Sequence, residues 1–210
     1  MTEAITPGRD PQPPTRQAWI LPANQLTLLY GHSGVGRMPH YFLPHALLEG
    51  RQALYLDGAN RFDPLLMARF ARDRRLPPAE FNRLIRVARA FTCFQLTELL
   101  RRVPKFLGAF PADFLIVTAL PDLYFDEDVR EREAAFAFER ALEALRTVMP
   151  SPLAIGVFSE ALSFNTPRRT FFRKLVAQAD SVRQIDMLPG NRAAFRSIKE
   201  GPLLPLMSNG

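Results

Sequence analysis

The chain has 210 residues, 47% of them hydrophobic and 23% charged, a globular composition with enough length for one good-sized core. Its single cysteine, Cys93, excludes an intramolecular disulfide and a cysteine-based zinc site, and His32, His40 and His45 carry no metal-ligand spacing, so no metal is expected. The net charge of +6 comes almost wholly from arginine, whose planar fork suits phosphate, and this permits a polyanionic partner.

The first residues, "MTEAITPGRDPQPPTR", are polar and proline-rich and lack the apolar core of a signal peptide. No apolar run reaches the roughly 18 to 20 residues that a bilayer-spanning helix needs. The expectation is a flexible tail over residues 1–18, one domain over residues 19–210, no membrane partner and a cytoplasmic location.

Next, "QLTLLYG" (Gln25 to Gly31) reads as a strand, and "MPHYFLPHALLEG" (Met38 to Gly50) as a helix that Pro44 should kink or break. "QALYLDG" (Gln52 to Gly58) is a second strand. Asp63 followed by Pro64 is an N-cap with proline at the first helical position. "RLIRVARAF" supplies a short strand, "TCFQLTELLRRVPKFLGAF" one helix, and "ADFLIVTAL" (Ala112 to Leu120) a continuous apolar run suited to a central parallel strand. An amphipathic helix follows from Glu127 to Val148, with Phe136, Phe138, Leu142, Leu145 and Val148 on or near its buried side. After the strand "PLAIGVF" come a basic loop (Ser159 to Arg169), the helix "TFFRKLVAQA" and a hairpin turning at Pro189-Gly190. Strands separated by helices predict an α/β fold with a doubly wound, mostly parallel sheet and a C-terminal β-hairpin.

Between the first strand and first helix lies "GHSGVGRM", framed like the phosphate loop G-x-x-x-x-G-K-[ST]. Such a loop works because glycines let backbone N–H groups turn inward around phosphates, while lysine reaches the outer phosphates and a hydroxyl ligates magnesium. Here Arg37 stands in place of the lysine and Met38 in place of the hydroxyl. Taken alone, Gly31, Gly34 and Gly36 also suit a plain strand-to-helix turn.

From about Gln25 to Leu206 the chain resembles the RecA-like core of the RadA, recombinase and KaiC group of P-loop ATPases. The likeness is carried in order by "LTLLYGHSGVGR", "ALYLDGANRF", "IRVARAFT", "DFLIVTALPDLYF", "LAIGVFSEAL" and the C-terminal strands. The resemblance implies a nucleotide site at Gly31, Gly34, Gly36 and Arg37. It also implies that the chemistry is lost: Arg37 matches the family's lysine, Met38 its magnesium-binding hydroxyl, Ala59 its water-polarising glutamate and Thr118 its second-motif aspartate. Phosphoryl transfer depends on metal and positioned charge. Asp57 and Asp122 are the neighbouring carboxylates that stand to compensate, although Asp57 matches a non-catalytic position and Asp122 lies past the strand end. The expectation is no cofactor, with at most weak ATP or ADP binding and no catalytic residue.

The family's second DNA-binding loop falls on "SEALSFNTPRRTFFRK", where Arg168, Arg169, Arg173 and Lys174 accompany Phe164. Arginines interleaved with aromatics grip phosphates and stack on unpaired bases, so single-stranded DNA is the favoured partner. Phe171, Phe172, Leu175 and Val176 also fit one buried helix face. The arginines at 72, 74, 75, 101 and 102 read as solvated helix faces. The acidic run Asp126 to Glu133 suits a helix N-terminus, and Cys93 has no neighbouring base and reads as a packed thiol.

Three functions fit this pattern. The first is a catalytically inactive RecA-like accessory factor in recombination or repair that binds DNA or a RecA-like protein partner, alone or as an oligomer. The second is a protein-interaction regulator on the same fold without DNA binding. The third is a divergent, slow ATPase.

Overall fold

The run Gln25–Gly31 is buried at every position, as are Ala53–Asp57, Phe114–Thr118 and Ala154–Ser159, which is what strands covered on both faces require. The computed structural model of the protein describes residues 21–149, 152–188 and 192–200. Its strands are β1 (Gln25–Gly31), β2 (Ala53–Asp57), β3 (Ile85–Arg89), β4 (Phe114–Thr118), β5 (Ala154–Ser159), β6 (Ser181–Leu188) and β7 (Arg192–Lys199). They form one seven-stranded sheet in the order β3-β2-β4-β5-β1-β6-β7. The first six strands pair in parallel, with Gln25 beside Ala154 and Thr27 beside Ser181, and β7 runs antiparallel to β6 with Met187 opposite Ala193.

The helices are α1 (Pro39–Leu48), α2 (Pro64–Asp73), α3 (Pro78–Arg83), α4 (Cys93–Arg101), α5 (Val103–Ala109), α6 (Glu131–Val148) and α7 (Arg169–Gln178). Side chains alternate across each strand, and the sheet therefore sorts them into two cores. Leu26, Leu28, Leu115, Val117, Ile155 and Val157 face Leu96, Phe138, Leu142 and Leu175 of α4, α6 and α7. Leu29, Tyr55, Ile116 and Phe158 face Phe42, Leu43, Met67 and Phe81 of α1, α2 and α3. The fold is thus α/β, with helices on both faces of a mostly parallel sheet.

Several boundaries differ from the sequence expectation for local reasons. Pro44 does not break α1, which continues to Leu48 with Pro44 itself buried in the core. The stretch expected as one helix divides into α4 and α5 at Arg102, because Pro104 has no N–H to donate and instead occupies the first turn of a new helix. The short helix α3 opens at Pro78 and lay hidden between two prolines and the next strand. Helix α6 starts at Glu131 rather than Glu127, after an Asp126 carboxylate accepts the Asp128 N–H and turns the chain. Phe136 stays 66% exposed, with the Arg140 guanidinium 5.6 Å from its ring centre, while Ala134, Ala137 and Ala141 take the buried face. The N-cap at Asp63 is as expected, its carboxylate accepting from Leu65 and Leu66 N–H. The tail over residues 1–18 and the turn at Pro189-Gly190 lie outside the described residues.

Candidate functional site at the carboxyl edge of the sheet

Parallel strands deliver their following loops to one edge, and in open α/β sheets ligands bind outside that edge. Here the ends of β1, β2, β4 and β5 bring Gly31, Asp57, Thr118 and Ser159 to it. The glycine turn leaves β1 at Gly31, where a Cβ would lie 2.2 Å from the Ile185 carbonyl oxygen of β6, so only glycine permits this strand spacing. Gly34 has φ of 106°, a left-handed conformation that side chains rarely adopt. A single 3-10 turn over Val35–Arg37 then leads into α1.

Two of the turn's N–H groups are already engaged by a side chain. Glu160, just past β5, places Oε1 2.8 Å from the Gly34 nitrogen and 3.1 Å from the Gly36 nitrogen, accepting from both. Ser33, Gly34, Arg37, Arg61 and Glu160 line a cavity of about 300 Å³. Glu160 is itself held from behind: its backbone N–H donates to Asp122 Oδ2 at 2.7 Å, and the Ser159 hydroxyl donates to Asp122 Oδ1 at 2.6 Å. Burial pushes the Asp122 carboxyl up to about 6; the Ser159 and Glu160 hydrogen bonds oppose that rise and the Glu160 charge adds to it.

Asp57 is fully buried at the end of β2 and equally occupied. Its Oδ1 accepts the Arg61 N–H and its Oδ2 the Phe62 N–H, both at 3.0 Å, and Arg89 of the edge strand β3 stands 3.5 Å away. Thr118 donates to the same carboxylate and accepts the Ala59 N–H. His40 bridges the glycine turn to α2: Nδ1–H donates to the Arg37 carbonyl and Nε2 accepts the Asp63 N–H, both at 2.9 Å, which fixes a neutral tautomer. Its burial lowers the imidazole pKa in the same sense.

Magnesium nucleotide does not fit these residues. Met38 points its thioether into the core at 1% exposure and offers no oxygen, Ala59 has no side-chain ligand, and Thr118 and Asp57 are committed to backbone and to each other. Among the described residues no group of three or more His, Cys, Asp or Glu is placed to hold a metal. Arg37 is exposed and reaches the same cavity as Glu160.

The basic segment divides in two. Arg168 is buried, and its guanidinium donates to the carbonyls of Tyr124, Asp126 and Val129 at 3.0, 2.5 and 2.5 Å, closing the turn that precedes α6. Lys174 pairs with Glu139 of α6. Arg169, Arg173 and Phe164 are brought together around a cavity of about 460 Å³ that Phe125, Leu162 and Phe172 also line. Phe164 is 40% exposed and its ring centre lies 5.4 Å from that of Phe125. Cys93 is buried at the start of α4, and burial pushes its thiol up, as for a packed cysteine.

Sequence reasoning singled out Gly34 and Gly36 but missed Glu160 and Arg61, the two charged side chains that share the turn's cavity with Arg37. The available signal for Glu160 was an acid immediately after an apolar strand whose carboxyl end points to the same edge. No protein-family model matches the chain, and no curated protein matches it in sequence. Among the described residues no helix is long and apolar enough to cross a membrane.

Proposed function

We propose that the chain is a RecA-like protein without phosphoryl-transfer chemistry that serves as an accessory factor in DNA recombination or repair. A glycine turn between the first strand and first helix, at the carboxyl edge of a mostly parallel sheet, supports the resemblance on which this rests. The observation that carries the loss of chemistry is that Met38 and Ala59 bring no oxygen ligand or acid to this edge, while the nearby carboxylates hold the chain together. Asp57, Asp122 and Glu160 each accept at least two hydrogen bonds from it, which gives all three a structural role. Binding is then assigned to the cavity beside α7, whose lining combines the cations of Arg169 and Arg173 with the exposed ring of Phe164.

A second reading, a protein-interaction regulator, draws on the apolar lining of that cavity and on the internal use of Arg168 and Lys174. Titration of the purified chain with labelled single- and double-stranded DNA across salt separates the two. Affinity that falls steeply with salt and favours single strands supports the first. The absence of salt-dependent DNA binding moves the second into its place.

A further inference from the structure

We propose that Glu160 is a tethered anion that fills the glycine turn, so that the turn is closed to external phosphate by the chain's own carboxylate. Successive backbone N–H groups converging on one point form a nest that favours an anionic oxygen. At 2.8 and 3.1 Å, the Gly34 and Gly36 N–H groups converge on a single oxygen, Oε1 of Glu160. The two arginines of the same cavity, Arg37 and Arg61, add positive potential, and Glu160 is the one acid among its lining residues.

The carboxylate is also held in place before it acts. Asp122 is a positioning residue: its two oxygens fix the Ser159 hydroxyl and the Glu160 N–H, and Ser159 Oγ in turn accepts the Ala161 N–H. A ligand tethered this way competes at an effective concentration of about a millimolar or more, with little left to order on binding. An incoming phosphate must displace it and then tolerate a like charge beside the same two N–H groups. The contact further ties the segment after β5, which carries Leu162 and Phe164, to the turn after β1. This inference stands whichever partner the cavity beside α7 takes, and a failure of DNA binding leaves it untouched.

Inorganic pyrophosphate is the probe, titrated calorimetrically into the full chain and into Glu160→Ala and Glu160→Gln, with Glu143→Ala on α6 as the control for lost charge. Wild type and the control should give no binding at millimolar pyrophosphate. Glu160→Ala should bind at least tenfold more tightly, and Glu160→Gln, whose amide oxygen still reaches the two N–H groups without a charge, should gain less. Hydrogen exchange supplies a reading that needs no ligand: the Gly34 and Gly36 amides should be protected in wild type and exchange at least tenfold faster in Glu160→Ala. Equal pyrophosphate affinity in wild type and Glu160→Ala, or fast exchange of both amides in wild type, overturns the proposal. If Glu160→Ala does not fold, a folded Glu160→Gln with wild-type affinity for pyrophosphate overturns it equally.

Discussion

Thr118 Oγ1 lies 3.3 Å from Asp57 Oδ1 and 3.1 Å from the Ala59 nitrogen, so one hydroxyl ties the ends of two neighbouring strands to the loop that leaves one of them. The Asp57 carboxylate completes the tie by accepting the Arg61 and Phe62 N–H groups. Asp57→Ala removes both acceptors from a fully buried position and should cost about 3 kcal/mol in urea unfolding. A loss below about 0.5 kcal/mol would show that water replaces the carboxylate freely.

The purified protein should release no phosphate from ATP above background in the presence of magnesium. Arg37, Met38 and Ala59 offer no metal ligand or general base, the Thr118 hydroxyl is bonded to Asp57 and the Ala59 N–H, and the surrounding carboxylates are hydrogen-bonded within the chain. Magnesium-dependent turnover that copurifies with the protein and disappears in Arg37→Ala would contradict this.

Arg168→Ala should destabilise the fold, and Arg169→Ala should not. The first takes the guanidinium away from the carbonyls of Tyr124, Asp126 and Val129, of which Asp126 keeps the Val129 N–H, at a cost of about 3 kcal/mol. The second removes an exposed side chain and should change stability by less than about 0.5 kcal/mol. Thermal unfolding of the two variants decides the matter, and equal midpoints would remove Arg168 from its structural role.

Asp122 should make stability fall as pH rises from about 4 to 7. Its folded pKa of about 6 exceeds the ordinary value of 3.8, so below 3.8 both states hold the proton and no penalty applies. Between the two values the unfolded chain ionises first, and above 6 the folded chain carries the whole desolvation cost, about 3 kcal/mol for the shift. Asn at this position carries no titratable proton. The difference in unfolding free energy, wild type minus Asp122→Asn, should therefore decline across that window, and a flat difference would count against the burial argument.

If nucleic acid binds, Arg169→Ala with Arg173→Ala should flatten the dependence of log affinity on log salt, by roughly 0.7 to 0.9 for each phosphate that is no longer neutralised. Phe164→Ala should weaken single strands more than duplex, since only unpaired bases offer a free face for stacking. Arg74→Ala with Arg75→Ala, at the exposed end of α2, is the control. A loss confined to the control would move the basic patch to the other face of the molecule.

The strand positions were legible because each central strand is apolar at nearly every residue and ends at a glycine, a turn or a polar loop; β1 and β4 fall within the expected runs. The division at Arg102 was not read, since the apolar spacing on either side of Pro104 suits one helix as well as two. Periodicity could not reveal that Arg168 and its neighbour Arg169 differ, one turned inward under the α6 turn and the other outward beside Phe164. That difference depends on which carbonyls the fold brings within reach of the guanidinium. For Glu160 the sequence placed an acid at a strand end but not its partners, Gly34 and Gly36, which lie more than a hundred residues earlier in the chain.

The strand order has a consequence for how the chain assembles. β1 occupies the interior of the sheet, yet both of its neighbours, β5 and β6, come from the far end of the sequence, Gln25 meeting Ala154 and Thr27 meeting Ser181. The β2, β3 and β4 strands pair over much shorter distances in sequence and can associate during synthesis while β1 still has two bare edges. Pulse-labelled hydrogen exchange during refolding should find β2 and β4 amides protected before those of β1. Until β5 and β6 dock on it, the apolar strand β1 offers both edges to another chain, so refolding yield should drop as protein concentration rises.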